Sequence, residues 1–284
     1  MIETPLPPPP SGAAPVTPPV RQQPPPRRNR GVRILWLIFG AVLFVGALTW
    51  GAYEVVSILS HEERTEIATY PAAGLTTVDV GNSSGSVRVV ATDGDEVVVR
   101  AEISEGLRAT GERQEVVGDV LELRATCPNF GSDWCGVSYE LQVPRDLALV
   151  VRADNGSVDV TGMTGVVDVN ADNGSVELTG LSGTIRASTD NGRVEGFDLR
   201  SQSVTVDSDN GSVTLEFTEA PTTVTATTDN GSVEVVVPDD GAAYRVDVQS
   251  DNGSETDEVL EDPASPRSIT IRTDNGSATA RTAS

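Results

Sequence analysis

The feature that most constrains this chain is a pentapeptide, Asp-Asn-Gly-Ser-Val, which recurs seven times with small variations after residue 150. Successive copies are 18, 18, 19, 20, 22 and 23 residues apart. Helical repeats need about 33 to 47 residues, so this shorter spacing favours one coil of stacked β-strands per copy. The copies begin at Asp154, Asp172, Asp190, Asp209, Asp229, Asp251 and Asp274.

Apolar residues alternate with polar ones between the copies, as in Val158 and Val160 and then in Val167 and Val169. Alternation at period two is typical of half-buried strands, and two short strands fit each coil. Asn-Gly readily adopts the positive φ of a tight corner, and a preceding Asp can accept bonds from amides two residues on. Asp-Asn-Gly is therefore predicted to form a corner, although a meander of ordinary hairpins is a rival topology.

Stacking of coil on coil would align the Asn residues of the copies into a ladder with steps of about 4.8 Å. Four inward aliphatic residues contribute on the order of 6 to 12 kcal/mol per coil, less than the cost of ordering its residues, so neighbouring coils must share a core. We predict an all-β fold, a single-stranded β-solenoid (β-helix or roll) of about 18–23-residue coils. The ladder would contain Asn155, Asn173, Asn191, Asn210, Asn230, Asn252 and Asn275.

The first 60 residues have a different composition. Residues 1–30 hold 11 of the 18 prolines and are predicted to be a disordered Pro-rich cytoplasmic tail. Residues 31–56 are predicted to be a transmembrane signal anchor, because the 20 residues from Ile34 to Tyr53 carry no charge. A cleaved signal peptide is the alternative, but its apolar region is usually shorter.

The flanking charges predict the orientation of this single span. Arg27, Arg28, Arg30 and Arg33 precede it, whereas Glu54 follows it. The positive-inside rule then leaves the N-terminus in the cytoplasm and the C-terminal domain outside the bacterial cytoplasmic membrane. We divide that part into a juxtamembrane linker (57–75), an irregular β region with a cysteine loop that caps the solenoid (76–150), and the repeats (151–284). The last segment, Gly276–Arg281, is expected to pack weakly because it lacks large aliphatic residues.

The exported part is strongly acidic. Residues 1–53 contain five Arg and one Glu, which leaves 15 Arg and 41 acidic residues beyond them, a formal charge of −26. Such a surface repels phosphate backbones, so no nucleic-acid partner is expected. Cys127 and Cys135 are predicted to form a disulfide, since structural zinc needs four ligands and His61 is the only histidine.

The row of Asp residues is the one candidate ligand site. Carboxylates stacked about 5 Å apart repel one another unless they are hydrogen-bonded or bridged by a cation, so Ca²⁺ is a hypothesis, and otherwise no cofactor or metal is expected. The alternative is that each Asp only caps its own turn, because the Gly-Gly-x-Gly-x-Asp repeat of calcium-binding β-rolls is missing. We expect no catalytic residues and no enzyme, although some β-helical proteins act on polysaccharides.

The Asp-Asn-Gly-Ser-Val repeats, the Val-x-Val alternation and the preceding single membrane helix together resemble the bacterial putative-adhesin family over roughly residues 75–280. The resemblance implies a β-solenoid displayed at the cell surface, and it supplies no catalytic residues. One implied function is a non-catalytic, adhesin-like binding module for an unknown envelope or cell-surface ligand. The alternative is an envelope-stress sensor or regulatory scaffold that couples the outer domain to the cytoplasmic tail. The sequence does not indicate an oligomeric state.

Overall fold

The computed structural model describes residues 30–59, 62–106, 109–127 and 135–283. Over these ranges the chain has one helix and 21 strands arranged in two sheets, so the prediction of an all-β fold behind one N-terminal helix is confirmed. The disordered tail predicted for residues 1–30 lies outside the described residues, apart from Arg30.

Helix α1 runs from Arg30 to Leu59. Its segment Arg33–Glu54 is 22 residues long and apolar enough to cross a membrane. The most apolar part of this segment is not buried against the rest of the described structure. A helix that is apolar all round needs a non-aqueous environment. The helix is therefore a candidate membrane anchor or signal sequence.

Two sheets hold all the described strands. The first contains, in spatial order, β1 (Glu62–Pro71), β4 (Glu96–Glu105), β7 (Gly136–Pro144), β3 (Val87–Thr92), β9 (Val158–Thr161), β11 (Val176–Thr179), β13 (Val194–Leu199), β15 (Val213–Phe217), β17 (Val233–Val237), β21 (Ala278–Thr282) and β19 (Glu255–Glu258). The second contains β18 (Arg245–Asn252), β20 (Ser268–Asn275), β16 (Thr223–Asn230), β14 (Ser203–Asn210), β12 (Ile185–Asn191), β10 (Val167–Asn173), β8 (Ala148–Asn155), β2 (Thr77–Asn82), β6 (Val120–Thr126) and β5 (Gly111–Val117).

Each repeat contributes one strand to each sheet. A coil consists of a second-sheet strand, a Gly-Ser corner and the first-sheet strand that follows, as in β8, Gly156-Ser157 and β9. Neighbouring coils pair in parallel and in register, with β10 beside β12 and β11 beside β13. The alternating aliphatic residues face inward between the sheets, and Val158, Val160 and Val167 are at most 1% exposed. Burial of these side chains provides the core that a single coil lacks.

Coil order in space differs from chain order at both ends of the stack. The last coil, β20/β21, lies between β16/β17 and the preceding coil, β18/β19. At the other end, β6/β7 lies outside β2/β3. The expectation of a weakly packed final segment was wrong, because β21 has a neighbour on both sides and its Ala278 and Ala280 are fully buried.

Antiparallel strands close the end of the stack formed by β6/β7. β1 pairs with β4, β4 with β7, and β5 with β6. The sequence predicts a linker over 57–75, whereas Glu62–Pro71 forms β1. Most residues of this edge strand are polar, so its sequence lacks the alternation of apolar and polar residues that predicts a strand.

A chain of polar side chains lies at this closed end. The Tyr139 hydroxyl donates to Glu112 (3.3 Å), the Gln114 amide donates to the same carboxylate (2.8 Å), and the Tyr70 hydroxyl donates to Gln114 (3.1 Å). Burial and the nearby Glu112 carboxylate raise the pKa of both tyrosines. These bonds satisfy polar groups at the place where stacking stops.

The predicted disulfide is confirmed. Cys127 follows β6 and Cys135 precedes β7, and their sulfurs are 2.04 Å apart, with a Cα–Cα distance of 5.7 Å. The bond therefore closes the connection that replaces the Gly-Ser corner in this coil.

Candidate functional site: the corner edge

The seven Asp-Asn-Gly copies lie along one edge of the two sheets, which we call the corner edge. In each copy Asp and Asn are the last two residues of a second-sheet strand, and the chain turns at the Gly-Ser that follows, or at Gly192-Arg193 in the third copy. The in-register pairing places Asn beside Asn in neighbouring coils, for example Asn173 beside Asn191. In spatial order the row is Asn155, Asn173, Asn191, Asn210, Asn230, Asn275 and Asn252.

Side-chain amides connect this row. The Asn230 amide nitrogen donates to the Asn210 side-chain oxygen (3.0 Å), and Asn275 donates in the same way to Asn230 (3.0 Å). Asn155 and Asn173 instead donate to main-chain carbonyls of the coil beside them, those of Ser83 and Asp154. Because each amide bonds to the neighbouring coil, the row fixes the register of stacking.

The glycines of the corner edge approach one another through their backbones. The Gly174 N–H donates to the Asn191 carbonyl (3.1 Å), and the Gly211 N–H donates to the Asn230 carbonyl (3.0 Å). A Cβ built on Gly211 would overlap the Gly192 carbonyl oxygen. The corner therefore accepts no side chain at this position.

Buried or partly buried hydroxyls lie directly beneath the corner edge, and they were not predicted from the sequence. The Thr228 hydroxyl donates to the Gly211 carbonyl (2.9 Å), Thr273 to Gly231 (2.8 Å) and Ser250 to Gly276 (2.8 Å). The sequence does contain a signal for these hydroxyls, because Ser or Thr precedes Asp in five of the seven copies. These bonds satisfy carbonyl groups that would otherwise be buried without a partner.

The carboxylates of the corner edge point outward. All seven Asp residues are exposed, and within the described residues none forms an ion pair or a side-chain hydrogen bond. The hydrogen bonds predicted from the corner amides to these carboxylates do not occur in the described part of the chain. In-register pairing spaces neighbouring carboxylates by about 5 Å, which makes a continuous anionic row. Over the described ranges, no group of three or more His, Cys, Asp or Glu side chains is arranged to hold a metal ion.

A second surface feature is a cleft of about 630 Å³ outside the first sheet, lined by Ile67, Val90, Arg88 and Arg100, among others. Both arginines have acidic partners: Arg88 lies 3.3 Å from Asp159, and Arg100 lies 3.0 Å from Glu102. An anion bound by either arginine would therefore have to displace the acidic residue with which that arginine already forms an ion pair.

Comparisons with known proteins find one family model and several solved structures that are similar to this chain. Residues 145–283 match the family model described as Toastrack DUF4097. A solved structure of a putative adhesin from Bacteroides fragilis is 12% identical, covers 78% of this chain and 97% of its own, and has a TM-score of 0.47. A putative cell adhesion protein from Clostridium sporogenes is 11% identical, covers 78% and 100%, and has a TM-score of 0.38. No curated protein matches the chain.

Proposed function

We propose, from the match of residues 145–283 to the Toastrack DUF4097 family model, that the chain is a non-catalytic binding module of the bacterial cell surface. The stacked part is a β-solenoid with two faces. Parallel pairing of successive repeats supports this description, because hairpins join strands in antiparallel pairs.

A single anchor holds the module in the cytoplasmic membrane with its N-terminus inside. The apolar segment Arg33–Glu54 supports an anchor, and the arginines before it, such as Arg30 and Arg33, support this orientation. The disulfide between Cys127 and Cys135 also supports export, since such bonds persist in oxidising compartments.

The observation that carries the binding proposal is the row of seven exposed carboxylates on the corner edge, which have no partner among the described residues. Backbone bonds between the coils hold these side chains at regular intervals, so a ligand meets a pre-organised row of charges. A cationic ligand fits it: either a basic surface on another envelope component that pairs directly with the carboxylates, or Ca²⁺ shared between these carboxylates and acidic groups of that component.

The test compares the full chain in nanodiscs with a variant in which all seven Asp residues of the corner edge are changed to Asn. Both are incubated with solubilised envelope fractions, and the bound proteins are measured. We expect at least about tenfold weaker binding by the variant, because the row supplies the complementary charge. Adding Ca²⁺ or a chelator to the wild-type protein distinguishes bridged from direct contact.

A matched control removes the same charge elsewhere. Its seven exposed acidic residues, which lack side-chain partners within the described chain, are changed to their amides, and binding should stay close to wild type. Equal loss of binding in both variants, or no loss of binding in the variant with seven Asp→Asn changes, would contradict a role for the corner edge. The control residues are Asp168, Glu177, Glu216, Glu219, Asp239, Glu258 and Glu261.

A further inference from the structure

Six of the seven Asn-Gly corners have the glycine N–H occupied by a backbone hydrogen bond. Each of these groups donates to an Asn carbonyl of the neighbouring coil at 2.9–3.3 Å. The seventh is Asn252-Gly253 in coil β18/β19, the last coil of the stack. No further coil is stacked beyond it, and within the described residues the Gly253 N–H has no acceptor.

The Asn252 side chain is also held less firmly than those further inside. Its amide nitrogen donates to the Asn275 side-chain oxygen, but no described group donates to the Asn252 side-chain oxygen, whereas the Asn230 and Asn275 oxygens each accept an amide N–H. Gly253 is exposed, whereas the other six corner glycines are partly buried. Strand β18 has no fully buried side chain. The end coil therefore opens at a lower free-energy cost than the inner coils.

We propose that Asn252 is a site of spontaneous deamidation that the other six corners resist. The Gly253 N–H loses its proton to solvent base, and the nitrogen attacks the Asn252 side-chain carbonyl carbon. A C–N bond forms to close a succinimide, and the side-chain nitrogen leaves as ammonia. Water then adds to either ring carbonyl and yields aspartate or isoaspartate. No cofactor or enzyme is required.

The stacked neighbour protects the inner corners in two ways. At Gly211 the N–H proton is shared with the Asn230 carbonyl, so the nitrogen is not free to attack. The Asn210 side chain, which contains the carbon to be attacked, is bonded on both sides, donating to Asn191 and accepting from Asn230. Reaction there requires the coil to separate from its neighbour first.

The product changes the end of the corner edge. Aspartate at position 252 has no amide N–H groups, so the bonds to the Asn275 side chain and the Asp274 carbonyl are lost. It also adds a carboxylate next to Asp251 on the same strand and one register position from Asp274 on the paired strand. Isoaspartate lengthens the main chain by one carbon and displaces the corner. Deamidation therefore loosens coil β18/β19 from β20/β21.

The full chain in detergent micelles provides the test, because its seven Asn-Gly pairs serve as internal standards. Folded protein is incubated in mildly alkaline buffer, digested at intervals and analysed by mass spectrometry to follow conversion of each Asn. Conversion at Asn252 should be at least about tenfold faster than at any other corner. Equal rates at all seven, or a faster rate at an inner corner, would overturn the proposal.

Two further measurements distinguish the effect of coil stacking on the deamidation rates from the effect of local sequence. In denaturant all seven pairs should convert at similar rates, because the protection belongs to the stack. If an inner Asn still deamidates slowly in denaturant, local sequence and not stacking sets its rate. The variant Asn252→Gln should lose the fast phase while the other six rates stay unchanged, since its longer side chain forms the corresponding ring much more slowly.

Discussion

At the scale of single residues, close approach of backbones explains glycine at the corner better than conformational freedom does. The sequence predicts a positive φ at each Asn-Gly, but among the seven corner glycines only Gly156 (φ 144°) and Gly276 (φ 151°) have one. At Gly192, Gly211 and Gly231 a Cβ would instead overlap the carbonyl of the glycine in the neighbouring coil. The residue type was predictable, whereas the reason depends on stacking that a local turn rule does not contain.

Gly211→Ala should therefore destabilise the β part by about 3 kcal/mol, because the methyl group would force two coils apart. Chemical denaturation of the purified chain gives the free energy of unfolding. Gly94→Ala is the control, since its Cβ would come no closer than 3.5 Å to Thr92, and it should change stability by less than about 0.5 kcal/mol. Similar losses in both variants would contradict the steric explanation.

Tyr244 offers a residue-scale prediction that depends on pH. It is fully buried and its hydroxyl has no partner in the described structure, and burial together with Asp240 raises its pKa from 10.0 to about 12. The folded state keeps the proton while the unfolded chain releases it, so stability falls as pH rises from about 10 to about 12.

Tyr244→Phe removes the unpaired hydroxyl. At neutral pH it should raise the free energy of unfolding by about 1 kcal/mol, and the variant should lose less stability than wild type in alkaline buffer. Tyr139→Phe is the matched comparison, because it removes a hydroxyl that donates to Glu112 and should be destabilising at neutral pH. Denaturation curves at neutral and alkaline pH measure both effects. A destabilised Tyr244→Phe protein would show that the hydroxyl has a partner.

At the scale of elements, the two first-sheet positions that face the core change character in the end coil. In the other repeats they hold Val, Leu or Ala, apart from Gly196 in β13, whereas β19 has Glu255 and Asp257 there. These carboxylates line a cleft of about 490 Å³ together with the partly exposed Val246 and Val248. Charges that point inward at a sheet edge discourage pairing with another chain.

Replacing both carboxylates, as in the double variant Glu255→Val, Asp257→Ala, should make this end self-associate. The reason is that the variant end presents apolar inward residues beside unpaired backbone groups. Sedimentation over a range of concentrations measures the mass. Glu258→Val is the control, because Glu258 lies on the outward side of the same strand. If both variants have the same mass as wild type, the carboxylates do not limit stacking.

Much of the element-level structure could be predicted from sequence. The repeat spacing and the alternation of Val158 and Val160 predicted strands with a shared core, and the disulfide was predicted because the chain has two cysteines and the region was expected to be exported. The position of β20/β21 could not be predicted, because its Asp-Asn-Gly corner is the same as in every other copy and carries no information about order. Strand β1 was missed because polar residues occupy both of its faces.

At the scale of the whole molecule, charge is divided between the two ends of the sequence. Residues 1–53 carry five Arg and one Glu, and the remainder carries a formal charge of −26. Orientation of a single span depends mainly on nearby Arg and Lys residues, and only weakly on acidic ones. The proposed orientation therefore depends on four arginines, Arg27, Arg28, Arg30 and Arg33.

Changing these four arginines to Glu should reduce the fraction of chains with an exported β part. Added protease, applied to intact cells that carry a tagged C-terminus, measures the accessible fraction. Changing Arg88, Arg100, Arg145 and Arg152 to Glu is the control, because these residues lie far from the helix in sequence and should leave orientation unchanged. Full accessibility of the first variant would remove the charge argument for a cytoplasmic N-terminus.

The crossed order of the coils at both ends has a consequence for how this protein can change in evolution. The first and last coils in space are not the first and last repeats in sequence, so a repeat duplicated or deleted between β10 and β15 leaves both terminal arrangements intact. Relatives of different length can thus keep the same two ends while the interior grows or shrinks by whole coils. Length is then a trait that selection can adjust one repeat at a time.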